Sequence, residues 1–155
     1  MLFAAHHARL VGFARLLVDD LATAEDVVQD AFTSLYRRWS WLRDHDAALP
    51  YLQASVANGA RSNLRRRRTV RETPIEPAPA MPSAETSAIA HDDHRRLIAA
   101  LATLSLRQRQ VIVLRYFLDQ SEGEIADALS ISRGAVKQHA SRGLATLSGA
   151  IEAAR

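Results

Sequence analysis

The sequence predicts an all-α protein: two small helical domains joined by a Pro-rich linker, the C-terminal one a four-helix domain with a helix-turn-helix. Three observations carry this reading. Apolar residues recur at spacings of three and four through most of the chain. Four of the five prolines fall in the stretch TPIEPAPAMPSAETS, Thr73 to Ser87, which has no apolar period. The segment from Ser121 to Leu147 reads as two capped helices around a tight turn. The expected division is therefore 1–71 and 89–155, with 72–88 as a linker that lets the two parts move independently.

Composition bounds the rest. A chain of 155 residues, 48% of them hydrophobic, can build one ordinary domain or two small ones. No apolar run reaches transmembrane length, and MLFAAHHARLVGFARLL is interrupted by His and Arg where a signal peptide has an unbroken core. A cytoplasmic protein with no membrane insertion is expected. The absence of Cys removes disulfides and thiolate metal sites. The net charge of +3 hides a segregation: Asp19, Asp20, Glu25, Asp26 and Asp30 form an acidic stretch, whereas Arg61, Arg65, Arg66, Arg67, Arg68 and Arg71 crowd together. The first should repel nucleic acid and the second attract it. Codon bias explains why Lys137 is the only Lys, but not why the charges cluster.

Residues 3–18 read as a helix with Leu10, Phe13, Ala14 and Leu17 on one side, broken at Val18-Asp19-Asp20. Thr23 is the expected cap of the next helix, with Glu25 and Asp26 suited to its positive N-terminal end. Val28, Phe32, Leu35, Trp39 and Leu42 give that helix the strongest period in the chain, leaving Asp26, Gln29, Asp30, Thr33 and Arg37 toward solvent. A polar loop over Arg43 to Asp46 leads to Pro50, which suits the first turn of a third helix running to about Arg68. Leu52, Val56, Ala60 and Leu64 form its apolar line; Asn58, Arg61, Ser62 and Arg65 point elsewhere. A basic helix beside Trp39, Trp41 and Tyr51 has the chemistry to hold a nucleic-acid strand by phosphate contacts and base stacking. Trp39 also fits the core stripe, so for each aromatic taken singly packing is an equal alternative.

Beyond the linker, His94 to Leu104 and Leu106 to Leu118 read as two helices. Ser121 and Glu124 then have capping-box spacing, and Ile125, Ala126 and Leu129 supply an inner face. The turn Leu129-Ser130-Ile131-Ser132 buries Ile131. Ser130 stands where such turns usually carry Gly, and positive φ at a non-Gly residue costs about 1 kcal/mol. Ser132 caps a last helix whose apolar positions are Val136, Ala140, Leu144, Leu147 and Ile151, with Ala140 and Gly143 thinning its packing. Its outward face carries Arg133, Lys137, Gln138, Ser141 and Arg142: cations for phosphates and long donors for base edges in a DNA major groove. An amphipathic hairpin used only for packing would show a similar pattern.

Catalytic chemistry is not evident. His91 and His94, with Asp92 and Asp93 between them, lack a third ligand at a sensible spacing and suit an exposed helix start. No Gly-rich phosphate loop, nucleophile elbow or supported carboxylate pair occurs, so no catalytic residue, cofactor or metal is expected.

The phrases AEDVVQDAFTSLYRRW and YLQASVANGARSNLRRRR, a Pro-rich linker, and LSLRQRQVIVLRYFLDQSEGEIADALSISRGAVKQ together resemble an extracytoplasmic-function (group IV) sigma factor of bacterial RNA polymerase, in particular small actinobacterial members. The resemblance spans nearly the whole chain, and the order of parts is more specific than any one part. It implies a promoter-specificity subunit whose partners are core RNA polymerase, through its beta-prime clamp and beta flap, and promoter DNA; an anti-sigma factor is a further candidate partner. By position, Asp26, Gln29 and Asp30 would dock on the beta-prime coiled coil. Residues 43–51 would take up a flipped base of the −10 element, with Trp41, Tyr51, Asn58, Arg61, Arg65 and Arg66 as its candidate contacts. Arg133, Lys137, Gln138, Ser141 and Arg142 would read the −35 element. Ala140 stands where the family commonly has a larger apolar residue. The competing reading is a stand-alone helix-turn-helix regulator that binds an operator as a dimer.

Overall fold

The computed structural model describes the backbone of residues 2–69 and 88–154 and the side chains of 2–63 and 91–154. Most of the sequence-read linker, and the side chains of Leu64, Arg65, Arg66, Arg67, Arg68 and Arg71, lie outside the described residues. Every regular element among the described residues is helical.

Helix α1, Leu2–Arg15, buries Leu10, Phe13 and Ala14. It ends three residues earlier than its apolar pattern suggests, because the chain tightens there: the Leu16 and Leu17 amides donate to the Phe13 and Ala14 carbonyls, at 3.1 and 2.9 Å. The cap of α2, Leu21–Arg37, is Asp20 and not Thr23. One Asp20 carboxylate oxygen accepts from the Thr23 amide at 2.7 Å and the other from the Thr23 hydroxyl at 3.0 Å. The expected cap thus becomes a buried residue of the first turn, held by a better acceptor three positions upstream.

The inner stripe of α2 is Ala24, Val27, Val28, Ala31 and Leu35. Phe32 is half-buried, and the helix ends before Trp39 and Leu42, which sit in and just after a 3₁₀ turn, Trp39–Trp41. A repeat of three serves a 3₁₀ turn as well as an α-helix, so this part of the period misleads. Trp39 is exposed and stacks on His45, with ring centroids 4.5 Å apart, which removes it from the core stripe. A second 3₁₀ turn, His45–Ala47, is started by the Asp44 carboxylate accepting from the Asp46 amide.

Helix α3, Ala48–Thr69, carries Pro50 in its first turn and buries Leu52, Val56, Ala57 and Ala60. It packs closely on α2 at Gly59, where a Cβ would lie 3.2 Å from Val27 Cγ1.

The C-terminal half comprises α4, Ala88–Ala102; α5, Leu106–Tyr116; α6, Glu122–Leu129; and α7, Arg133–Ala153. Both α5 and α6 begin with complete capping boxes, Ser105 with Gln108 and Ser121 with Glu124. In α4, Asp92 pairs with Arg96 one turn on, at 3.0 Å, as suits an exposed helix start. Packing at Gly143 is tight, contrary to expectation: a Cβ there would come 2.9 Å from Ile112 Cγ1, so the missing side chain is replaced by Ile112. Leu144 and Ile151, expected inside, are exposed.

The largest departure from the sequence reading concerns the two halves, which are docked on each other and share one continuous core. Helix α5 is buried over six consecutive residues, Arg109 to Leu114, because α6 and α7 cover one side and the N-terminal half the other. The Arg109 guanidinium donates to the carbonyls of Leu16 and Val18, where the backbone leaves α1 with unsatisfied acceptors, and lies 3.7 Å from the Asp19 carboxylate. Burial pulls the Arg109 pKa down from its usual value, and Asp19 opposes that shift. The Gln110 amide donates to Ala57 O at 2.8 Å and its oxygen accepts from Arg107. Further out, Gln120 donates to Gln53 at 3.0 Å and Asn58 to Ala128 O at 3.0 Å.

Candidate nucleic-acid and polymerase interface

Helices α6 and α7 form the helix-turn-helix anticipated from sequence. The Ser121 hydroxyl accepts from the Glu124 amide, and the Glu124 carboxylate accepts from the Ser121 amide at 2.7 Å. Ser130 closes α6 in the left-handed region, φ 54° and ψ 47°, so the conformation that favours Gly is held here by a serine. Ile131 packs against the core, and the Ser132 hydroxyl accepts from Ala135 N at 3.0 Å to start α7. Burial of Val136, Ala140 and Gly143 fixes the rotation of α7. Arg133, Lys137, Gln138, Ser141 and Arg142 are all exposed as a result.

Two of these cations have neighbours on α6. The Arg133 guanidinium lies over Gly123, where a Cβ would meet its Nη2 at 2.9 Å. The Lys137 ammonium lies 3.8 Å from the Glu122 carboxylate, whose other oxygen is 3.7 Å from Arg115. One carboxylate thus holds two cations near the start of α6 in a loose, solvated arrangement.

His139 sits beside this face. Burial lowers its pKa from the usual value, and the charges of Arg107 and Arg142 lower it further. The unfolded chain therefore takes up this proton first, so the contribution of His139 to stability is complete above about pH 6.5 and is lost as pH falls from there through its lower folded pKa. Urea midpoints are expected to fall more between about pH 7.5 and 5.5 for the wild type than for His139→Gln. Equal falls would show that His139 is not the group responsible.

In the N-terminal half, Asp26, Gln29 and Asp30 are exposed along the side of α2 opposite its buried stripe. Trp41 is 83% exposed, whereas Tyr51 is half-buried against the core. Arg61 is half-buried, and Arg65 and Arg66 continue α3 with side chains outside the described residues. The sequence reading did not single out Tyr36, which is 84% exposed at the end of α2. Its signal was its position on the polar side of the stripe that buries Leu35.

These candidates form three separate surfaces: the acidic face of α2, the aromatic and basic region from Trp41 into α3, and the outer face of α7. Residues 2–70 match the family model described as Sigma-70 region 2, and residues 94–147 match Sigma-70, region 4. A relative from Streptomyces coelicolor, RNA polymerase sigma-E factor, is 36% identical over 138 residues, covering 89% of this chain and 77% of its own. The chain belongs to the extracytoplasmic-function sigma factors. This sigma factor is also 34% identical over 147 residues to RNA polymerase sigma factor CarQ of Myxococcus xanthus, covering 92% of this chain and 82% of that one. Solved structures share its fold as well. The sigma factor RpoE in complex with the anti-sigma factor NepR, from Bartonella quintana, superposes with TM-score 0.78 at 24% identity, covering 99% of this chain and 96% of that one. CnrH in complex with the cytosolic domain of CnrY superposes with TM-score 0.69 at 26% identity, over 98% and 86%. Family membership makes this a non-enzymatic initiation factor that binds core RNA polymerase and promoter DNA.

Proposed function

We infer that this sigma factor divides its work along the chain, residues 1–71 binding the polymerase clamp and the −10 element and 89–155 binding the −35 element, with 72–88 between them. The observation that carries the reading is the outer face of α7, where five exposed polar residues follow a capped helix-turn-helix. Arg133, Lys137, Gln138, Ser141 and Arg142 read the −35 duplex. Trp41 and Tyr51 stack on −10 bases while Asn58, Arg61, Arg65 and Arg66 follow the strand. The exposure of Trp41 favours the stacking role for it; the packing of Tyr51 makes it the weaker contributor. The protein acts in the cytoplasm, where polymerase and DNA are. One structural relative, RpoE, is in complex with an anti-sigma factor, NepR, which supports an anti-sigma factor as a candidate partner here.

Asp26 and Asp30 lie one turn apart and would meet basic residues of the beta-prime clamp, with the beta flap meeting the C-terminal half. Asp30→Arg is expected to weaken binding to core polymerase by at least about tenfold, since like charges brought together at an interface cost several kcal/mol. Its circular dichroism and melting temperature should stay near wild type, because Asp30 is exposed. Loss of folding would make Asp30 a structural residue instead. Reconstitution with core polymerase, followed by mapping of transcription start sites, tests the whole reading.

A further inference from the structure

Gly123 is the second residue of α6, just after the Ser121 cap. Its φ is not positive, so no left-handed conformation requires Gly there. Glycine is also the poorest helix former after Pro, because it loses the most backbone freedom on ordering. What the missing side chain does is make room. A Cβ at this position would lie 2.9 Å from Arg133 Nη2, 3.3 Å from its Cζ and 3.5 Å from its Nε. Three atoms of one guanidinium group therefore lie over the bare backbone of α6. Elsewhere, Gly59 and Gly143 come nearest to Val27 and Ile112 of the core, and Gly12 and Gly149 have open space around them. Gly123 is the one glycine that faces a charged group.

Arg133 is the first residue of α7 and is exposed. An exposed arginine samples many rotamers, and fixing it costs entropy. Here the fork is seated without a carboxylate to hold it. Glu122 faces Lys137 and Arg115, at 3.8 and 3.7 Å, and the Glu124 carboxylate accepts from the Ser121 amide. Arg133 has no ion pair among the described residues. Its donors are thus set in place and still available, whereas the charge of Lys137 is partly answered. The direction of the side chain also matters, because it turns back along α6, away from Gln138, Ser141 and Arg142 farther along α7. In a helix-turn-helix the first helix crosses the DNA backbone while the second enters the groove. A cation lying on the opening turn of the first helix is therefore beside phosphates and not base edges.

We propose that Gly123 is a positioning residue for −35 binding: its bare backbone seats the Arg133 guanidinium across the start of α6, ready for a backbone phosphate flanking the bases that α7 reads. The proposal rests on the reading of α7 as the −35 helix, and it gives Arg133 a phosphate in place of a base. A planar fork can lie flat on the backbone and still aim donors outward, which a Lys ammonium cannot do. Seating it in advance lowers the ordering cost of the DNA-binding step.

The test compares Gly123→Ala, Arg133→Ala and the double variant, each as the full chain with core polymerase on a −35-dependent promoter. Ala favours the helix, so Gly123→Ala should melt about 1–4 °C above wild type. The same variant should bind the promoter about two- to tenfold more weakly, because the Cβ displaces the guanidinium from its seat. A packing role would not produce a gain in stability together with a loss of binding. Arg133→Ala should weaken binding at least as much, and should lower the slope of log affinity against log salt by about 0.9, the loss of one phosphate contact. The double variant should bind no more weakly than Arg133→Ala, since Gly123 acts only through that side chain. Base-pair substitutions within the element should cost Arg133→Ala and wild type alike, because a phosphate contact carries no sequence information.

Binding by Gly123→Ala at the wild-type level, or a further loss in the double variant, would overturn the positioning role. A melting temperature below wild type that Arg133→Ala does not relieve would make Gly123 a packing residue of α6. A loss in Arg133→Ala that depends on the identity of one base pair would put Arg133 on a base edge and overturn the phosphate contact. If Arg133→Ala changes neither affinity nor salt slope, Arg133 lies off the −35 interface, and its place in the reading of α7 falls together with the proposal.

Discussion

Core RNA polymerase is expected to raise the affinity of this chain for promoter duplex by about a thousandfold or more, the usual gap between specific and non-specific DNA binding. Each chain carries one described helix-turn-helix, and a single reading helix buries too little DNA surface to bind specifically. A stand-alone regulator solves this with a two-fold dimer reading half-sites a helical turn apart. The apolar side chains of α4 and α7 show no sustained heptad that would form such a seam. A sigma factor lets the polymerase hold its two halves at a fixed separation, so the cost of ordering them falls on polymerase binding and not on DNA binding. The free chain should therefore be monomeric, with weak binding that shows little sequence preference and disappears as salt rises. Gel shifts with and without core read this directly. Specific nanomolar binding by the protein alone, as a dimer on a palindromic site, would restore the regulator reading.

What sequence reveals here is what short-range chemistry controls. Ser121 with Glu124, Ser132 at the start of α7 and the strained position at Ser130 are legible because each depends on residues within four positions. The exposed face of α7 follows from its period, and so does that of α2. Errors arise where two local solutions compete. Asp20 and Thr23 are both good caps, and only the carboxylate can accept from both the amide and the hydroxyl of Thr23. Trp39 and Leu42 continue a repeat that a 3₁₀ turn also satisfies. Leu144 and Ile151 extend a stripe past the point where neighbouring helices are there to cover it.

The docking of the halves was illegible for a different reason. Arg109 and Gln110 are polar, and a polar residue on a helix is read as facing water. Their partners are backbone carbonyls of Leu16, Val18 and Ala57, which every sequence contains and no side-chain pattern marks. A faint sign exists in LRQRQVIVLRY, whose four consecutive apolar residues leave no wide polar face. Buried polar contacts of this kind specify one arrangement over others while adding little net stability.

Arg142→Ala is expected to weaken use of the −35 element by about 1–3 kcal/mol, the discrimination carried by one good bidentate contact to a guanine, and Lys137→Ala by less. The difference follows from what surrounds each cation. Lys137 lies 3.8 Å from Glu122, so its charge is partly answered before DNA arrives, and any phosphate it meets must compete with that carboxylate. Arg142 has no ion-pair partner among the described residues, and its fork is free to present two donors. Glu122→Gln should therefore move binding the opposite way, strengthening it and steepening its salt dependence by releasing Lys137 and Arg115 together. Transcription from a −35-dependent promoter, set against one that does not need that element, isolates the effect from polymerase binding. If neither Arg142→Ala nor Lys137→Ala changes the ratio between the two promoters, α7 enters the groove by another face and the orientation argued from Val136, Ala140 and Gly143 is wrong.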